Sequence, residues 1–157
     1  MDINKDGSIT ASELQQTLRL AQSSSEFNIK TVELLMSKYD TNGDREISFD
    51  EFYDLFSNLN EEFESFLLMD SDGSGSIDLD EFSSALKQKG YNFSRSFFQA
   101  IMEEIDKKTG HNGIRFDNYI RVAARFDFLC QSYRKTPYFQ KDSLEAYLKK
   151  TFFQDFW

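Results

Sequence analysis

Between residues 52 and 67 the apolar positions Phe52, Leu55, Phe56, Leu59, Phe63, Phe66 and Leu67 recur at steps of three and four, which predicts one long amphipathic helix with these side chains in a core. The same period returns at Phe97, Phe98, Ile101, Met102 and Ile105, so residues 94 to 105 read as a second helix. Ser94 suits its N-cap, and Gly90 suits the C-terminus of the helix before it. That use of Ser94 also makes the Asn92-Phe93-Ser94 glycosylation match read as chance. A third stripe, Tyr119, Ile120, Ala123, Phe126 and Cys130, predicts a long helix from Phe116 to about Tyr133. Asp142-Ser143-Leu144-Glu145 looks like a capping box that starts a last helix through Leu148 and Phe152. The fold class implied is all-α.

The segments between helices are not ordinary turns. DINKDGSITASE, DTNGDREISFDE and DSDGSGSIDLDE, starting at Asp2, Asp40 and Asp70, align residue by residue. Each has isoleucine at its eighth place, Ile9, Ile47 and Ile77, and each closes on glutamate. Calcium takes six to eight oxygens, and a twelve-residue loop supplies them from positions 1, 3, 5, 7, 9 and 12. In the first loop these are Asp2, Asn4, Asp6, Ser8, Thr10 and Glu13, with Gly7 at the sharp turn. In the second they are Asp40, Asn42, Asp44, Glu46, Ser48 and Glu51, but Arg45 stands where the turn wants positive φ, which costs on the order of 1 kcal/mol and weakens the site. In the third they are Asp70, Asp72, Ser74, Ser76, Asp78 and Glu81, with Gly75 at the turn; four carboxylates make this the tightest expected site. One acidic loop is often only a solvated turn, whereas three in register are a strong signal for EF-hand calcium sites. Magnesium competes poorly, because its octahedral demand does not fit a bidentate glutamate.

Composition agrees. Across 157 residues the formal net charge is −9, which disfavours direct binding to nucleic acid or a bare anionic surface. Aromatic content of 16% exceeds what a disordered acidic chain carries. Cys130 is the only cysteine, so no internal disulfide is available and a reducing compartment is the simpler expectation. No secretory pattern or membrane-spanning apolar run is present. Cys130 and His111 lack any motif context for catalysis, so no enzyme activity is expected of the chain.

With its repeated loops, shared long helices and stretches such as ITASELQQTL and SALKQKGY, the chain resembles the penta-EF-hand family over essentially its whole length. The resemblance implies five helix-loop-helix hands, two pairs plus an unpaired fifth, with long helices shared between hands two and three and between hands four and five. Their expected spans are 2–22, 29–59, 60–90, 94–125 and 126–157 within a single domain. The first hand has no entering helix, since Met1 alone precedes Asp2, and a trimmed chain is the expectation. The glycine- and proline-rich N-terminal segment common in the family is also not in the sequence.

The fourth hand starts at Asp106, but Ile114 falls one position late, Lys107 and Lys108 fill positions two and three, and Asn118 replaces the closing glutamate. It is not expected to bind calcium; its role would be to pair with the third loop through Ile77 and Ile114. His111 in this loop reads as a surface residue. In the fifth hand TPYFQKDS is too short for a site, and Pro137 takes the leading place.

The resemblance implies a cytoplasmic calcium sensor or adaptor with cofactor calcium and a calcium-dependent peptide or protein target held in an apolar groove. It also implies a homo- or heterodimer through the fifth hand, around Tyr138, Leu144, Tyr147, Leu148 and Phe152, and calcium-dependent association with membranes. A regulatory part of a larger enzyme, such as a calpain-like protease, is the alternative, and a passive calcium buffer the third reading.

Overall fold

The computed structural model describes residues 7–21, 27–135, 143–152 and 154. They form seven helices: α1 (Ala11–Ala21), α2 (Ile29–Tyr39), α3 (Phe49–Met69), α4 (Leu79–Gln88), α5 (Arg95–Thr109), α6 (Phe116–Lys135) and α7 (Leu144–Thr151). Among the described residues, extended pairing is limited to two isolated antiparallel bridges, Ile9 with Ile47 and Ile77 with Ile114. The fold is all-α, and the chain divides into two compact units, Met1–Ser65 and Phe66–Trp157, with α3 contributing to both.

In the first unit the two loops are joined by reciprocal bonds, Ile9 N to Ile47 O at 2.8 Å and Ile47 N to Ile9 O at 2.9 Å. Apolar side chains from α1, α2 and α3, including Leu14, Leu18, Val32 and Leu55, close the core beneath the bridge. Phe27 is buried between α1 and α2, and its carbonyl accepts from the Gln15 amide at 2.7 Å. Burying each such aliphatic side chain contributes about 1.5–3 kcal/mol.

The second unit repeats the scheme. Ile77 and Ile114 exchange two 2.9 Å bonds. The Phe66 ring, near the end of α3, meets Phe116 and Tyr119 of α6 edge-on at 5.4 and 5.6 Å. Phe93 lies among Tyr91, Phe97, Phe98 and Phe126, which locks the start of α5 against α6. The Arg125 guanidinium of α6 donates to the carbonyls of Thr151 (2.8 Å) and Phe152 (3.1 Å) and to Gln154, so a cation satisfies the open carbonyls at the end of α7.

Three expectations are corrected here. Phe56 and Leu67 are exposed, because each follows a core residue, Leu55 or Phe66, by one position and so stands about 100° round α3 from it, at the edge of the buried stripe. The N-cap of α7 is Ser143, which accepts from Ala146 N at 3.2 Å, so the reading of Glu145 as partner in an Asp142 capping box fails; Asp142 lies outside the described residues. Glu145 is turned instead to Ser94. Tyr147, Leu148 and Phe152, expected on a dimer face, are buried within their own unit, while Leu144 is half-buried and Tyr138 lies outside the described residues.

Candidate metal centres

The third loop begins where α3 ends. Asp70 N still bonds back to Phe66 O at 2.9 Å, which buries the Asp70 side chain at the mouth of the loop. Its Oδ1 accepts from Ser74 N (2.9 Å) and its Oδ2 from Gly75 N (2.8 Å), a wrap that requires the positive φ of 82° at Gly75. Glu81 closes the loop from the first turn of α4. One of its oxygens accepts from Ser71 N and Oγ at 2.8 and 2.9 Å, and the other from Asp78 N at 3.0 Å. Asp78 in turn accepts from Glu81 N at 2.8 Å, so loop positions nine and twelve form the capping box of the exiting helix.

This geometry gathers carboxylate oxygens of Asp70, Asp72 and Glu81 within 4.8 Å of one another. Ser74 N–H and hydroxyl hold the Asp72 carboxyl below its ordinary value. Burial raises that of Glu81, but the bonds from Asp78 and Ser71 outweigh it and the net shift is downward. Three anions this close at neutral pH, with serine and backbone oxygens beside them and no nitrogen or sulfur donor, make a hard, all-oxygen set that fits calcium. The Ser74 hydroxyl lies 2.8 Å from the Ser76 carbonyl, which brings the fifth and seventh positions together.

The second loop has the same wrap. Asp40 accepts from Gly43 N (2.7 Å) and Arg45 N (2.9 Å), and Arg45 has φ 66°, the one positive value at a non-glycine residue among those described. Glu51 is held by Thr41 and Ser48 through both N–H and hydroxyl, at 2.7 to 3.0 Å, and these four bonds lower its pKa from 4.5 to about 2, the Thr41 hydroxyl contributing most. Asn42 stands where the third loop has Asp72, and Asp44 is engaged by Glu46 N and the Asn42 amide. Among the described residues the third loop alone therefore brings three carboxylates within 4.8 Å.

Of the first loop, Asp2, Asn4 and Asp6 lie outside the described residues. Thr10 N and Oγ1 donate to Glu13 at 3.0 and 2.7 Å, which reproduces the capping arrangement at positions nine and twelve. The Ser8 hydroxyl donates to the Glu46 carboxylate, linking the seventh positions of the paired loops. The pattern T-x-x-E, S-x-x-E and D-x-x-E signals this double use of the closing glutamate in all three loops.

The fourth loop differs in kind. α5 runs on through Thr109, three residues past Asp106, and ends on Gly110 at φ 70°. The first four loop positions are thus helical, and the Asp106 carboxylate accepts from Gly113 N at 2.9 Å. The cue lies in the sequence, where Lys107 and Lys108 precede Thr109-Gly110 as in an ordinary helix end. His111 is half-buried. Cys130 is buried, and burial pushes its thiol up, away from a reactive thiolate.

The EF-hand domain pair family matches residues 1–57 and 61–124. Human sorcin is 34% identical over 135 residues, covering 83% of this chain and 66% of the relative. The chain belongs to the EF-hand family, on its penta-EF-hand branch. Other relatives of this EF-hand protein are peflin from Danio rerio, 30% identical over 135 residues (86% of this chain, 50% of the relative), and grancalcin from Pongo abelii, 29% identical over 143 residues (88% and 64%). The solved structure of a homolog of programmed cell death 6 protein from Leishmania major Friedlin superposes with TM-score 0.68 at 31% identity, covering 85% of this chain and 77% of that one. The EF-hand chain spans between half and two thirds of the length of these curated relatives. Calcium is the cofactor that its EF-hands take. Among the described residues no helix is long and apolar enough to cross a membrane.

Proposed function

We propose that this EF-hand protein is a cytoplasmic calcium sensor or adaptor rather than an enzyme, and that calcium changes how it presents an apolar face to a partner protein. The ligands would be Asp70, Asp72, Ser74, Ser76, Asp78 and Glu81 in the third loop and Asp40, Asn42, Asp44, Glu46, Ser48 and Glu51 in the second. In the first they would be Asp2, Asn4, Asp6, Ser8, Thr10 and Glu13. Each closing glutamate sits in the first turn of an exiting helix, so a bidentate bond to the ion pulls on that helix directly. The helical start of the fourth loop supports leaving it without an ion.

The observation that carries the reading is the position of Glu13, Glu51 and Glu81, which close the three loops from the first turns of α1, α3 and α4, so that holding an ion and placing the exiting helix are one event. Dimerisation through the fifth hand is kept with a different surface. Because Tyr147, Leu148 and Phe152 face their own unit, the opposite side of α7, with Ala146, Lys149 and Lys150, is left for a partner.

A calorimetric calcium titration in millimolar magnesium, followed by apolar-dye fluorescence, tests the reading. Two or three sites at roughly 10⁻⁷ to 10⁻⁵ M with dye fluorescence that rises with calcium are expected. Only sites weaker than about 10⁻⁴ M, or tight sites without a change in dye binding, would sink it.

A further inference from the structure

Asp106 stands at the head of the fourth loop, where Asp40 and Asp70 head the second and third, yet its carboxylate is put to a different use. Asp40 and Asp70 directly follow α2 and α3 and accept from N–H groups three to five residues onward, which curls each loop around its carboxylate. Asp106 lies inside α5, one position after the buried Ile105, and accepts from Gly113 N, seven residues onward, at 2.9 Å. Gly113 immediately precedes Ile114, the half of the bridge that the fourth loop supplies. A well-anchored helix thus holds the start of the bridge segment through one charge-assisted bond made by the chain's own groups.

The segment held in this way sets one ligand of the third loop. Ile77 N donates to Ile114 O and Ile114 N to Ile77 O, both at 2.9 Å. The Ile77 N–H belongs to the same peptide group as the Ser76 carbonyl, and in a trans peptide the two point opposite ways. With the N–H directed at Ile114, the Ser76 carbonyl is directed into the third loop, where it accepts from the Ser74 hydroxyl at 2.8 Å and where the seventh-position ligand belongs. Gly113 also backs onto this peptide, since a Cβ on it would stand 3.1 Å from both the Ile77 carbonyl and the Ser76 hydroxyl. Two hydrogen bonds and one close backbone contact therefore connect the Asp106 carboxylate to the Ser76 carbonyl.

We propose that Asp106 is a positioning residue for the calcium site of the third loop: it ligates no ion itself, and by holding Gly113 N it fixes the bridge segment that aims the Ser76 carbonyl at the ion. The fourth hand is then a metal-free brace for the third. This rests on the reading of the third loop as a calcium site and adds how its seventh-position ligand is set.

The test compares Asp106→Ala and Asp106→Asn in the 157-residue chain. Asparagine keeps an oxygen that accepts from Gly113 N and removes the charge, whereas alanine removes both. A calcium titration against a competing chelator, followed by NMR at the Gly75 amide that bonds to Asp70, reports the third site. Alanine should weaken that site about fivefold or more, and asparagine should stay within about twofold of the parent. In calcium-free buffer, hydrogen exchange at the Ile77 and Ile114 amides should quicken with alanine and not with asparagine. Asp106→Leu, close to asparagine in shape but without an acceptor, repeats the alanine result should that variant fail to fold. Glu145→Ala, which removes a hydrogen bond from the other end of α5, should leave the third site within about twofold of the parent.

Four results would overturn the proposal: a third site unchanged by alanine and leucine; asparagine as damaging as alanine, which makes the charge and not the hydrogen bond the cause; Ile77 exchange indifferent to the loss of the acceptor; or equal weakening by Glu145→Ala, which makes the effect one of general stability. Any of these with normal third-site binding in the parent defeats this proposal alone. A parent chain that takes no calcium at the third loop defeats the sensor reading, and the proposal falls with it.

Discussion

Glu145, in the first turn of α7, accepts hydrogen bonds from both the backbone N–H, at 2.8 Å, and the hydroxyl of Ser94, a residue 51 positions earlier. Ser94 is the N-cap of α5, its own oxygen accepting from Phe97 N. In a capping box the N-cap N–H is satisfied by a carboxylate three residues onward in the same helix. Here that place is held by Phe97, whose ring belongs to the aromatic cluster, and the carboxylate comes from another helix. Lys149 lies 3.1 Å from Glu145 and completes the arrangement.

Changing Glu145→Ala should therefore lower stability by about 1–2 kcal/mol, through the lost cap of a helix far from it in sequence. Urea unfolding of Glu145→Ala, Ser94→Ala and the double variant checks the link. The double change should cost less than the sum of the single ones, since both remove one interaction. Strict additivity would mean that the two residues do not act on each other.

Arg45 holds φ 66° in the turn of the second loop, where the first and third loops have Gly7 and Gly75. Replacing it with glycine removes left-handed strain of about 1 kcal/mol. Calcium affinity at the second site should rise several-fold in an Arg45→Gly titration, while the other sites keep theirs. An unchanged second site would show that the wrap of Asp40 onto Arg45 N already absorbs the strain.

Gly113 lies against the third loop. A Cβ there would stand 3.1 Å from both the Ile77 carbonyl and the Ser76 hydroxyl, at a backbone φ of 89°. Gly113→Ala should disturb the Ile77–Ile114 bridge and cost about 1–3 kcal/mol, from positive φ together with crowding against backbone. The expected readout is weaker calcium binding at the third site, although the substituted residue belongs to the fourth. Native-like affinity and stability would mean that the two loops separate without loss.

Glu51 has its carboxyl held at about 2 against an ordinary 4.5, so the folded protein binds this proton less readily than the unfolded chain. Its contribution is fully present above about pH 4.5 and is lost as the pH falls through about 2. In calcium-free buffer the melting temperature should drop across that window. Thr41→Ala, which removes the largest single cause, should move the drop to higher pH. A melting curve indifferent to Thr41 would show that the hydroxyl is not what stabilises the carboxylate.

Much of the fold and of the metal-site pattern was legible in the sequence because both depend on local spacing. The stripe from Phe52 to Phe66 gives a helix by period alone, and α3 runs from Phe49 to Met69. The isoleucines at the eighth loop positions mark the bridges, which join Ile9 to Ile47 and Ile77 to Ile114. The left-handed turn at Arg45 follows from its alignment with Gly7 and Gly75.

What was not legible concerns which face of a helix meets which neighbour. Period alone places Phe56 and Leu67 among the core positions of α3, yet both are exposed. Glu145 fits a capping box by its distance from Asp142, but the helix starts one residue later and the carboxylate finds its partner in Ser94, the N-cap of α5. Tyr147, Leu148 and Phe152 look like surface left over by an unpaired hand until their own unit buries them and Arg125 fixes the helix end.

By itself, then, the sequence determined the helices, the loop register and the choice of calcium, since each is set by residues within about a dozen places of one another. Tertiary structure alone decided that Asp70, Asp72 and Glu81 converge within 4.8 Å, that Phe49 and Tyr53 stay in solvent while Phe116 and Ile120 do not, and that Glu145 caps a helix 51 residues away. Those outcomes depend on which helices pack together, and spacing along a single strand of sequence carries no record of that.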